Sequence, residues 1–272
     1  MTMKRTFYGA VLLTALFCNA CTSPTSNPTT PAAASTAAPE QASAPRQRYW
    51  VTVYRVKPDM MDEYQEFYQK ETLPAVQKAG YKQQSVYVTA SLGEAFEFVI
   101  IRPIESLKEF DERNIVKAMG DAGYKAWVAK RGRMIVSSRS YIMQSRPELS
   151  IVPNPNETPK LAFVVWRSIA PGRETDYENY IKNDALPILK KAGPKGFLMN
   201  RVGTGGDGEE YISAALVDSF ADYEKWTAAL LKEGYDKVTP KRAGIVVHQE
   251  SAVYRYVPEL SLPQPTAPQA GK

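Results

Sequence analysis

Two long stretches of this chain match each other in order. Leu73-Pro74 finds Leu186-Pro187, Lys78-Ala79-Gly80 finds Lys191-Ala192-Gly193, and Ser106-Leu107 finds Ser219-Phe220. Both series close on Pro-Glu-Leu-Ser, at Pro147–Ser150 and Pro258–Ser261. From Tyr64 and Tyr177 onward most matches share an offset of 113, falling to 111 at the end. Upstream, Arg55-Val56-Lys57-Pro58 lines up with Arg167-Ser168-Ile169-Ala170-Pro171, the two arginines being set against each other. Collinear matches at so steady a spacing describe one structural unit used twice.

Each unit reads as strand, helix, strand, strand, helix, strand. Tyr49–Val56 and Leu161–Ile169 are rich in β-branched and aromatic residues and end before a proline-containing turn. Tyr64, Phe67, Tyr68, Val76 and Ala79 then recur at helical spacing, as do Tyr177, Tyr180, Ile181, Leu189 and Ala192. Pro74 and Pro187 kink these helices or restart a turn, and Gly80 and Gly193 end them. Ser85–Thr89 with Phe96–Arg102, and Phe197–Val202 with Tyr211–Val217, form two strand pairs. The glycine-rich Gly203–Gly208 precedes a strand and not a helix, so it is a hairpin turn and not a phosphate cradle. Second helices open with Ser106-x-x-Glu109 and Ser219-x-x-Asp222, the spacing of a capping hydroxyl and an acid near the first amides. Last strands run about Arg133–Met143 and Gly244–Tyr256.

The first and third strands are apolar on both faces: Trp50, Thr52 and Tyr54 alternate with Val51 and Val53, and Phe96, Phe98 and Ile100 with Val99 and Ile101. Helices cover one face. The other would expose more apolar surface than a soluble monomer tolerates, so the second unit is expected to cover it, as two packed sheets or a barrel.

The chain ends have a different character. Lys4 and Arg5 precede an apolar run from Phe7 to Phe17, shorter than the ~20 residues a membrane span needs; this is the pattern of a secretory signal, with cleavage between Ala20 and Cys21. Cys18 and Cys21 are the only cysteines, so the folded part has no disulfide and no thiolate chemistry. Residues 21–48 form a Pro/Ala/Ser/Thr tether, 49–150 and 161–261 the two units, 151–160 a stiff proline linker and 262–272 a disordered tail. The net charge of +5, +3 once Lys4 and Arg5 are lost, includes no dense basic run and gives no footprint for nucleic acid.

Several of these residues carry a resemblance. Phe17-Cys18-Asn19-Ala20-Cys21 resembles the bacterial lipobox, with Cys18 where leucine is usual, and implies a diacylglycerol thioether on Cys21. The alternative is ordinary cleavage after Ala20. Thr22 lacks the aspartate that retains some lipoproteins at the inner membrane, so the expected address is the periplasmic face of the envelope, at the outer membrane. The first strand, Arg55-x-x-Pro58, Leu73-Pro74 and Gly80 resemble the dimeric α+β barrel superfamily, nearest its NIPSNAP-like and antibiotic-biosynthesis-monooxygenase-like branches. The resemblance implies an α+β fold: two tandem ferredoxin-like (βαββαβ) repeats in an intramolecular pseudo-dimeric barrel, with self-association not required. The superfamily holds cofactor-free oxygenases, haem proteins, isomerases and members without known activity, so fold alone assigns no chemistry.

His248, the only histidine, shares a strand face with Glu250. It is a candidate general base or axial haem ligand inside the barrel, or a half-exposed polar residue; the first unit has Ser137 in its place and Arg139 in that of Glu250. Arg55 and Arg167 are candidate anchors for an anionic ligand, or partners in salt bridges, and Arg139 is a further candidate ligand-binding residue. Trp50, Tyr54 and Trp166 line an aromatic pocket or belong to the core. No nucleophile elbow, metal-ligand spacing or paired-histidine site is present in the sequence. The expected function is binding of a small apolar or aromatic molecule without a cofactor, by a protein held to the membrane through its lipid. The alternatives are a cofactor-independent monooxygenase or haem protein using His248, and a purely structural or protein-binding role. For the anchor, Cys21→Ser is expected to abolish metabolic labelling with palmitate and to release the protein from the membrane fraction; a product of unchanged size and fractionation would refute lipidation.

Overall fold

The strands that are apolar on both faces turn one face to helices and the other to the axis of a barrel. The computed structural model describes residues 46–263; the expected signal segment, Cys21, the tether up to residue 45 and the tail from 264 lie outside the described residues.

The first half contains β1 (Arg48–Val56), α1 (Met61–Phe67), α2 (Leu73–Lys78), β2 (Ser85–Thr89), β3 (Glu97–Ile104), α3 (Lys108–Asp111), α4 (Asn114–Met134) and β4 (Ile135–Ser145). The second contains β5 (Leu161–Ile169), α5 (Glu174–Tyr180), α6 (Leu186–Ala192), β6 (Gly196–Thr204), β7 (Glu210–Val217), α7 (Phe220–Lys232), α8 (Tyr235–Val238) and β8 (Val246–Tyr256). Among the described residues the strands close into an antiparallel barrel in the order β1-β3-β2-β8-β5-β7-β6-β4. The seams between the halves are β2 with β8 and β4 with β6. The fold is mixed α+β.

Packing explains the closure. Val51, Val99, Tyr141 and Met143 from the first half meet Val202, Ile212, Ala252 and Tyr254 from the second in one cluster on the barrel axis. Each half therefore covers the apolar face that the other cannot leave in water. Two further cores lie between sheet and helices, one per half.

The shared Pro-Glu-Leu-Ser motif has a structural meaning: each copy inserts into the opposite half. Leu149 is 1% exposed in the second half's core, and Leu260 is 2% exposed in the first half's. The motif serines follow suit. Met199 N–H donates to Ser150 Oγ at 2.9 Å, and Val86 N–H to Ser261 Oγ at 2.9 Å. Bridges Ile151–Phe197 and Gln84–Leu262 extend the exchange. The segment after residue 150 is thus docked at its start, and Leu262, expected in the tail, is buried and bridged to Gln84. At the other end order begins before residue 49, since β1 starts at Arg48 and Gln47 N–H donates to Ser145 Oγ at 2.8 Å.

The two β-hairpins add a second clasp. At Gly93 a Cβ would lie 2.4 Å from Ala252 Cβ, and at Gly205 it would lie 2.7 Å from the Ser140 carbonyl. Both glycines have positive φ, so the loops cross the other half's last strand where no side chain fits. Before each helix proline there is one wide π-helical turn, Tyr68–Thr72 and Ile181–Ala185, the local cost of a residue that cannot donate to the helix ladder.

Leu149→Ala is expected to lower stability by ~2–5 kcal/mol, the usual cost of such a cavity. Urea unfolding followed by tryptophan fluorescence and by far-UV circular dichroism should keep coincident midpoints; separate transitions for the halves would refute the coupling.

Candidate functional site

Strand alternation puts Trp50, Thr52 and Tyr54 of β1 on the helix side of the first half, and antiparallel pairing adds Ile100 and Arg102 of β3 and Ser138 and Ser140 of β4. Above them lie Tyr64, Tyr68 and Thr72, then Tyr124, Trp127 and Arg131 from the last turns of α4. Together they enclose a cleft of about 400 Å³, within the range of small-molecule sites. It reaches solvent along β4, where Ser138 and Ser140 are exposed.

The chain after β3 decides why the cleft is open. In the first half the capping is partial: Ser106 N–H donates to Glu109 Oε1 at 3.3 Å and Lys108 N–H to Ser106 Oγ at 3.2 Å. The helix α3 lasts only four residues, Arg113 takes a left-handed φ of 50°, and α4 breaks at Gly120, φ 72°. In the second half Ser219 Oγ accepts from Asp222 N–H at 3.1 Å, and α7 runs unbroken for 13 residues. That helix lays Tyr223 flat on Phe163, centroids 3.5 Å apart and planes 3° from parallel. The corresponding rings of the first half, Phe110 and Trp50, meet edge to face at 5.1 Å and leave the space below them empty.

The cleft floor is cationic. Arg102 is 7% exposed, donates from Nε to Gln84 Oε1 at 2.6 Å and lies over the rings of Tyr81 (5.0 Å) and Trp50 (5.3 Å). Arg131 donates from a terminal N–H to Tyr54 Oη at 2.9 Å and stacks on Trp127 at 4.2 Å. Among the described residues neither has a carboxylate at ion-pair distance. Glu109, the carboxylate on the rim, is occupied by the N–H groups of Glu105 and Ser106. The Tyr68 hydroxyl is buried beside Arg102 and Gln84. Burial pushes its pKa up to about 12, against the pull of the Arg102 charge.

The candidate residues therefore divide among three places. Trp50 and Tyr54 share the cleft. Trp166 points into the barrel and packs edge-on against Tyr254 at 6.0 Å. Arg55, Arg139, His248 and Glu250 gather at one mouth of the barrel. There Arg55 pairs with Glu94 at 3.0 Å, Arg139 with Glu210 at 3.1 Å, and His248 Nε2 lies 2.9 Å from Glu250 Oε1. The His248 side chain is 62% exposed, so it stands on the rim and not inside the barrel.

Arg55 and Arg167 do not occupy the same place, contrary to the sequence alignment. Arg55 pairs with Ser137, and it is Ser168 that faces His248, so the true partner of Arg167 is Tyr54. A one-residue slip reverses the face. Arg167 accordingly lies under the helices of the second half, donating to Ser213 Oγ at 2.8 Å and Gln249 Oε1 at 3.0 Å. The two prolines Pro58 and Pro171, already at the constant offset of 113, carried the correct register.

Arg102 and Arg131 escaped the sequence reading. The signal for Arg102 was a charge at a core-facing position between Ile100 and Ile104; for Arg131 it was helical spacing from Trp127 and Tyr124. A haem with an axial imidazole does not fit this cleft, because the chain's one histidine is on the barrel rim. Among the described residues no group of three or more His, Cys, Asp or Glu side chains is arranged to hold a metal.

No family model matches the chain, and no curated protein does. Solved structures do. An anthrone oxidase-like protein superposes with a TM-score of 0.53 at 13% identity, covering 78% of this chain and 91% of its own. A proposed monooxygenase from Lactobacillus acidophilus gives 0.52 at 7% identity, covering 78% and 94%. A NIPSNAP family protein from Agrobacterium tumefaciens aligns at 18% identity with 41% of this chain and 96% of its own, TM-score 0.30. For the first two the likeness is one of fold.

The barrel mouth supplies a pH test. Glu97 accepts a hydrogen bond from Tyr254 Oη at 2.5 Å, yet burial, with Glu94 and Glu250 nearby, holds its carboxyl above the ordinary 4.5. The unfolded carboxyl ionises first, so stability contributed by this group falls as pH rises from 4.5 through the higher folded value. Glu97→Gln lacks that loss. Its melting temperature relative to the parent should rise between pH 4 and pH 8; a gap that narrows would refute the assignment.

Proposed function

We propose that the chain binds a small aromatic molecule in the helix–sheet cleft of its first half. One observation carries this reading: the cleft is open at about 400 Å³ and walled by aromatic rings, whereas the same place in the second half is filled by Tyr223 on Phe163. Binding sites of this size with a few convergent polar groups are the usual form of small-molecule sites. We infer further that the halves are copies of one ferredoxin-like unit, which the common element order and the exchanged motifs support. A lipid on Cys21, with the tether behind it, would place the cleft beside the envelope membrane.

A second reading is cofactor-independent oxidation of the bound molecule by O₂. It is favoured by the anthrone oxidase-like and monooxygenase names of the structural neighbours. His248 stands on the barrel rim and does not line the cleft, so in this reading the aromatic cleft and its arginines position the substrate.

Anthrone tests both readings. It is expected to quench tryptophan fluorescence saturably, through Trp50 and Trp127, and Ser140→Phe, which fills the exposed cleft wall, is expected to weaken that quenching by about tenfold or more. Quenching unaffected by Ser140→Phe would sink the binding site. Oxygen uptake with anthraquinone and water as products would mark a monooxygenase; saturable quenching without uptake would leave a binding protein.

A further inference from the structure

The charge on the cleft floor narrows the ligand class, on the reading that the cleft is the binding site. Arg102 is a buried cation whose polar neighbours, the Gln84 amide and the Tyr68 hydroxyl, are both neutral. Arg131 has a phenol, Tyr54, as its hydrogen-bond acceptor, and its Nε is buried without a partner. Both charges act on the same ring, Tyr54, from two sides of the cleft. Beside Arg102 and Gln84 lies the hydroxyl of Tyr68, a residue only 1% exposed. Buried charges without a counter-ion are costly, and buried polar atoms in native proteins almost always find partners.

The second half shows what the same fold does when no ligand is to be met. Ala215 stands where β3 carries Arg102, by the strand register. The arginine there, Arg167, spends its donors on Ser213 and Gln249, and the cleft is closed. Buried phenols occur in that half too, at Tyr177 and Tyr180, so the distinction lies in the arginines: Arg102 and Arg131 border an open cleft.

We propose that the cleft takes a flat aromatic acid, its anionic oxygens held by Arg102, Arg131 and the Tyr68 hydroxyl and its ring against the aromatic walls. Arginine's planar fork suits a carboxylate. The ring faces already stacked on both guanidinium groups hold them in place before the ligand arrives.

Matched probes test the charge separately from the ring. Binding of 2-naphthoate and of its neutral counterpart 2-naphthamide to the full chain is measured by calorimetry at pH 7. The acid is expected to bind at least about tenfold more tightly than the amide. Arg102→Gln and, independently, Arg131→Gln are each expected to remove most of that preference, bringing the affinities for acid and amide to within about threefold of each other. Two substitutions guard against one of them unfolding the protein, which circular dichroism would show. Equal affinities for acid and amide, or a preference that survives both substitutions, would overturn the anion site while leaving an aromatic cleft. Binding of neither probe would overturn both.

Discussion

The structure depends on an exchange between its halves. Each half ends in a Pro-Glu-Leu-Ser segment that completes the other's core, and each presents an apolar sheet face that only the other covers. At about 25 cal/mol per Å² and ~150–250 Å² per aromatic side chain, a single ring withdrawn from water is worth roughly 4–6 kcal/mol before ordering costs. Tyr141 and Tyr254 on the barrel axis thus already represent a sum comparable to the net stability of a whole domain. Neither half has a complete core by itself, and the barrel is the smallest unit that covers the inner sheet faces of both.

Within that frame the halves diverge at one short segment. An intact cap at Ser219 starts a continuous α7 and brings Tyr223 down on Phe163. The partial cap at Ser106, the left-handed Arg113 and the break at Gly120 keep Phe110 at the edge of Trp50. A difference of a few backbone torsions separates a filled interior from a cleft. The chemistry of the floor follows the same division, with Arg102 opposed to Ala215 and Tyr54 to Arg167.

Much of the fold was legible because burial writes periodicity into sequence. Ser85–Thr89 and Leu161–Ile169 are strands at the expected bounds, and the prolines after Leu73 and Leu186 mark real irregularities in their helices. The double-sided apolar strands foretold the covered inner face. The site was less legible. Trp50 and Tyr54 fall in the cleft, but Arg55 was matched to Arg167 by residue identity, and identity is a poor guide when a shift of one residue moves a side chain through the sheet. His248 drew attention by being unique; its strand continues past the end of the barrel core, where alternation no longer means burial. Arg102 was hidden by its surroundings, since a single charge in an apolar strand looks like an interruption until the opposite helices are known to stand away from it.

Carrying both halves on one chain has a consequence that two separate chains do not allow. A symmetric pair of identical subunits must have two identical clefts, so any change that widens one widens both, and any cost in stability is incurred twice. Here the second half, packed solid with Tyr223 on Phe163, serves as ballast for the first. The half with the opening can accumulate arginines, broken helices and vacant space, because its rigidity is underwritten by a neighbour that has none of them.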